Sequence, residues 1–145
     1  MARIPYADLS APEVQPLVER IVAERGHVLH LYQMLLHSPP LAQGWLGFLT
    51  QVRQKLDLPG DLRELVIMRV AHLNGASYEA DQHAPIALKE GLRPEQLAAI
   101  ADWTARSDLF SPLERDALAL CDAMTRTVQV DAAIVESVRA ALGER

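Results

Sequence analysis

A single cysteine, Cys121, stands in the whole chain. One thiol excludes an internal disulfide, a CxxC motif and a four-cysteine zinc site. It closes the apolar run Ala117-Leu118-Ala119-Leu120-Cys121, where a small buried hydrophobe is the ordinary reading and a nucleophile the exceptional one. Aromatic residues amount to 5% of 145. With neither aromatic nor β-branched enrichment, the core has to come from Leu, Val, Ile, Ala and Met, which favours helix over sheet. Basic runs are missing as well. The formal net charge is −5 and Lys and Arg are scattered, which argues against a nucleic-acid partner; one local Arg can still serve an anionic substrate. No apolar segment approaches the roughly 20 residues that span a bilayer, so no membrane partner is expected. Residues 1–10 hold Pro5 and Asp8 and no apolar stretch, unlike a secretory signal. The expected location is cytoplasmic.

What is present is punctuation at helix-length intervals. The length suits one domain, 1–145. Ser10-Ala11-Pro12-Glu13 reads as a helix start, followed by Leu17, Ile21 and Val22 and stopped by Gly26. Residues 28–36 form a second apolar helix ended by Ser38-Pro39-Pro40. Residues 41–56 form a third, with Leu41, Trp45, Phe48, Leu49 and Val52 on one side. Beyond the Leu58-Pro59-Gly60 turn, Asp61 caps a fourth helix with Glu64 at the capping-box position; Leu62, Leu65, Val66, Val70 and Leu73 form its stripe. Asn74-Gly75 ends it, because glycine readily takes the left-handed conformation of a helix C-terminus. Ser77 caps a fifth helix to Glu90, with Pro85 inside and Gly91 as its stop. Pro94 opens a sixth through Leu97, Ile100 and Trp103. Ser111-Pro112-Leu113-Glu114 opens another, and Asp131 caps the last. No stretch alternates long enough for a strand, so the fold class is all-α, a single-domain multi-helix bundle.

Four polar groups flank the Asn74-Gly75 break: Glu64, Tyr78, Glu79 and His83. Glu79 and His83 are four apart, so they share one helix face. A carboxylate beside an imidazole sets its tautomer and raises its basicity, which suits proton transfer near neutral pH. Tyr78 is placed to hydrogen-bond a developing oxyanion. Each residue also has a plainer reading. Glu64 suits a capping box, Glu79 suits the dipole of a first turn, the Glu79–His83 pair suits an exposed contact, and Tyr78 suits packing. Arg69 falls inside the apolar stripe; it needs a partner if buried, or it holds an anionic substrate. No metal is expected. Two ligands four apart need a third, no HExxH is present, and His72 on the neighbouring helix is the one candidate. His27, His30 and His37 read as core or surface histidines. No Gly-rich phosphate loop and no GxSxG elbow occurs.

The run from Leu58 through Glu64, Arg69, His72 and Asn74-Gly75, continued by Ala76-Ser77-Tyr78-Glu79-Ala80-Asp81-Gln82-His83-Ala84-Pro85, resembles the carboxymuconolactone decarboxylase superfamily, which includes the alkyl hydroperoxidase D-like proteins. The resemblance is tightest over about residues 58–103. It implies an alkyl hydroperoxidase D-like helical bundle that associates with itself as a dimer, trimer or hexamer. In the peroxidase branch a glutamate precedes a CxxC motif and a histidine follows the second cysteine by four. On this chain those positions are Glu64, Ala76, Glu79 and His83. Both cysteines are absent, so dithiol peroxidase chemistry is excluded. The decarboxylase branch implies a Glu-x-x-x-His pair, here Glu79 and His83, and cofactor-free loss of carbon dioxide from a carboxylated lactone. His83 would then be the proton donor, Glu79 its orienter, Glu64 a second acid or base, and Tyr78 or Arg69 the substrate holder. The resulting expectation is a lyase or proton-transfer enzyme on a small-molecule substrate. The alternative is a non-catalytic binding or assembly protein that keeps the fold.

Overall fold

Local chemistry sets most helix boundaries in the computed structural model, which describes residues 3–144. The chain divides into two units, the first ending at Leu56 and the second beginning at Asp57. Among the described residues the secondary structure is entirely helical, with no strand.

The first unit holds α1 (Gln15–Arg25), α2 (His30–Leu35) and α3 (Pro39–Gln54). Val14, Ile21, Tyr32, Leu36, Ala42 and Leu46 form its core. Ser10 does not cap α1. It bonds to Asp8 instead, and the helix begins after Val14 with Pro16 in its first turn. α2 is shorter than its apolar run, and Pro39 opens α3 rather than ending the helix before it, because a helix tolerates proline where the N–H has no partner anyway. The apolar side of α3 also turns out to be the open one. Leu41, Trp45, Phe48 and Val52 are exposed, while Ala42 and Leu46 point inward.

The second unit holds α4 (Gly60–Leu73), α5 (Ser77–Glu90), α6 (Pro94–Ala99), a 3-10 helix (Ile100–Leu109), α7 (Pro112–Arg126) and α8 (Ala132–Leu142). α4 is its hub, packing against α5, α7 and the 3-10 helix, and α8 lies on α7. Leu62, Leu65, Met68, Ala87, Leu92, Ile100, Trp103, Phe110, Ala117 and Leu118 make the core. Emptying a fully buried position such as Leu118 would cost about 2–5 kcal/mol.

Two caps follow the expected chemistry. The Ser111 hydroxyl accepts from the Glu114 amide and Glu114 Oε2 accepts from the Ser111 amide, and Asp131 accepts from the Ala133 amide. Gly91, at φ 116°, takes the left-handed stop of α5, and Gly75, at φ 62°, lets the chain reverse between α4 and α5. Three expectations fail. Glu64 is no capping residue: α4 starts after Pro59 with no side-chain cap, Asp61 accepts from its neighbour Leu62, and the Glu64 carboxylate turns inward. Ser77 is the first residue of α5 and makes no cap bond. The sixth helix gives way at Ile100 to a 3-10 stretch, which carries Trp103.

Candidate functional site

Glu64 lies one turn into α4 and is completely buried. A bare carboxylate at that depth is untenable without partners, and Arg63 and His83 are among those it has. Arg63 Nε donates to Oε1 at 3.0 Å. His83 Nδ1, donated from α5 across the hairpin, reaches Oε2 at 2.6 Å. An ionised carboxylate only accepts, so against it Nδ1 is the donating nitrogen and Nε2 is the one turned away from Glu64.

Nε2 faces Glu79, whose Oε2 stands 3.7 Å away. That separation exceeds a hydrogen bond, and the Glu79 side chain is about half exposed, 45%. The His83 side chain keeps 10% of its surface. The imidazole is therefore gripped on its buried nitrogen, and its other nitrogen lies near a carboxylate that water reaches. The carboxylate in contact with the ring is Glu64, nineteen residues away in sequence, rather than the helical neighbour Glu79. Arg63 also reaches Glu90 at 3.4 Å, so its guanidinium lies between the Glu90 and Glu64 carboxylates.

Tyr78 sits in the first turn of α5, partly exposed at 39%. Arg69 goes elsewhere. It is buried, with Nε and Nη2 donating to the two oxygens of Asp122 at 2.6 and 2.8 Å, and Nη1 to the carbonyls of Ile100 and Ala101. Of the two readings open for Arg69, the ion pair is occupied, and none of its partners belongs to the Glu64–His83 group. Sequence reasoning missed Asp122 and Arg63. Asp122 was findable: it lies four residues after Leu118 on the inward side of α7, where a carboxylate calls for a buried cation. Nothing marks Arg63 from spacing alone.

Cys121 is buried, its Sγ 4.0 Å from the Val66 carbonyl, and burial pushes its thiol above the ordinary value of 9.0. A thiol so placed is a poor nucleophile. His72 Nδ1 is held on the Met68 carbonyl at 2.8 Å. Among the described residues no three His, Cys, Asp or Glu side chains gather as a metal-ligand set, and no helix is long and apolar enough to cross a membrane. His37 Nε2 bonds the Pro5 carbonyl and His30 stacks on Tyr6, both in the first unit.

In comparison with known proteins, the model of the carboxymuconolactone decarboxylase family matches residues 39–123. No curated protein and no solved structure matches the chain.

Proposed function

The chain belongs to the carboxymuconolactone decarboxylase family, and from that premise we propose that it is a cofactor-free lyase, or a related proton-transfer enzyme, acting on a small carboxylated or lactone metabolite. The observation that carries the reading is the 2.6 Å bond from His83 Nδ1 to the buried Glu64 carboxylate, with Nε2 left beside Glu79. In the proposed step the substrate carboxylate leaves as carbon dioxide, and the electron pair of the broken carbon–carbon bond passes into an adjacent conjugated carbonyl. A proton from the Nε2–H of protonated His83 then closes the vacated carbon. Solvent returns the proton by way of Glu79. Glu64 acts through His83, fixing its tautomer and stabilising the charged ring. Tyr78 is the proposed hydrogen-bond partner of the developing oxyanion. Arg69, fully engaged at Asp122, serves by keeping α4, α7 and the 3-10 helix in register rather than by touching substrate.

The test is carbon dioxide release from carboxylated γ-lactones by wild type and His83→Ala. The expected result is a loss of about 10²–10⁴-fold in kcat with the fold retained. An unchanged rate, or a wild type inert toward every such lactone, would overturn the reading.

A self-associated protein is part of the same proposal. The row Leu41, Trp45, Phe48 and Val52, open on α3, supplies an apolar helical surface of the kind that association covers. Light scattering on Phe48→Glu measures it, with a drop in assembly size expected. Retained assembly together with an inert His83 would favour the non-catalytic binding alternative.

A further inference from the structure

The far end of α4 carries a second polar group. Beside its last turn opens a cavity of about 480 Å³, bordered by Arg69, His72, Asn74, Ala101, Thr125 and Arg126. Its volume falls within the roughly 300–1,000 Å³ common for small-molecule sites. Glu64, Glu79 and His83 are not among its lining residues.

One side-chain charge at this cavity lacks a side-chain partner among the described residues. Arg69 at its base is matched by Asp122, which spends both oxygens on that guanidinium and also accepts from the Trp103 indole. Burial opposes the ionised form of Asp122, yet the hydrogen bonds from Arg69 and Trp103 outweigh it and hold the carboxyl below its ordinary 3.8. That pair is neutral overall. Arg126, in the last turn of α7, has no hydrogen bond and no contact ion pair among the described residues, and Asp122 feels its charge only at a distance. His72 donates its Nδ1–H to the Met68 carbonyl, which leaves Nε2 of the neutral ring an acceptor. The C-terminal dipoles of α4 and α7 explain why cations are tolerated here. They do not offer a guanidinium the planar acceptor that its fork fits.

We propose that this cavity binds a small oxyanion, the phosphate or carboxylate group of a metabolite, with Arg126 as its charge partner and the Thr125 hydroxyl as its hydrogen-bonding neighbour. Binding there is separate from the chemistry at His83, because the two sites share α4 but no side chain.

The test is titration of the isotope-labelled full chain with inorganic phosphate at constant ionic strength, followed by amide chemical shifts. Saturable shifts confined to the neighbourhood of Asn74, Ala101 and Thr125 are expected. Arg126→Met should weaken them at least about tenfold, the loss of one charge-assisted hydrogen bond. Arg106→Met, which removes an exposed charge of the same unit, should leave them unchanged. Sodium acetate in place of phosphate tells which oxyanion source the cavity prefers. Binding that persists in His83→Ala stands whether or not the decarboxylase reading survives. Shifts that never saturate, that scatter over the surface, or that respond equally to both arginine substitutions would overturn the proposal.

Discussion

Arg69 and Glu64 sit five residues apart on α4, both shielded from water and both charged, yet their surroundings differ. Arg69 is turned over to the fold. Four of its five N–H groups reach two carboxylate oxygens and two backbone carbonyls, tying α4 to α7 and the 3-10 helix. Glu64 is bonded on both oxygens too, but one partner is an imidazole whose second nitrogen stops 3.7 Å short of an exposed carboxylate. A group whose hydrogen bonds go to the fold serves stability. A group that ends at a titratable edge near water has something left for a substrate. The contrast separates buried charges that hold the helices together from buried charges that prepare a proton carrier.

Four experiments press on this contrast. Arg69→Met should have the largest effect on folding, about 3–5 kcal/mol in urea unfolding, because it strands the Asp122 carboxylate and two carbonyls; a cost under about 1 kcal/mol would erase the distinction from the structural side. Glu64→Gln keeps the shape and removes the charge that favours protonated His83. The expectation is a fall of about 10²-fold in kcat with KM nearly unmoved and a shifted pH–rate profile, and a variant as active as wild type would erase the distinction from the chemical side.

Acid tests the structural group by itself. Asp122 has a folded-state pKa below the ordinary 3.8, so its contribution is fully present above that value and is lost as pH falls through the lower folded value. Melting temperature followed downward from pH 5 should drop more steeply in wild type than in Asp122→Asn, and identical slopes would contradict the assignment. The smallest effect belongs to Arg63→Gln. Its Glu90 pair is partly exposed and the new amide can still donate to the buried Glu64, so a stability change of about 1–3 kcal/mol is expected, with kcat falling less than in Glu64→Gln. A larger loss than in Glu64→Gln would move the centre of the site to Arg63.

Much of the helical framework was legible in the residues. Ser111 with Glu114, Asp131, Gly91 and Asn74-Gly75 announce helix ends, because caps and left-handed turns are satisfied within three or four residues. The same reasoning misled at Glu64. Spacing from Asp61 matches a capping box, but the carboxylate found better partners inward. It misled again on α3, where the periodicity of Leu41, Trp45, Phe48 and Val52 is genuine but says nothing about which side faces a neighbour. The site was legible as a set of residues flanking one helix break, and its pairing was not.

The order of residues was enough to settle an all-helical chain, the absence of dithiol chemistry and a cluster of Glu64, Glu79 and His83, since each depends on composition or on spacing within a turn or two. Tertiary packing alone decided that Glu64 rather than Glu79 grips the imidazole, and that Asp122, 53 residues distant, answers Arg69. A buried charge takes whichever partner the folded helices bring within about 3 Å, and that closeness arises only once α4 lies against α5 and α7.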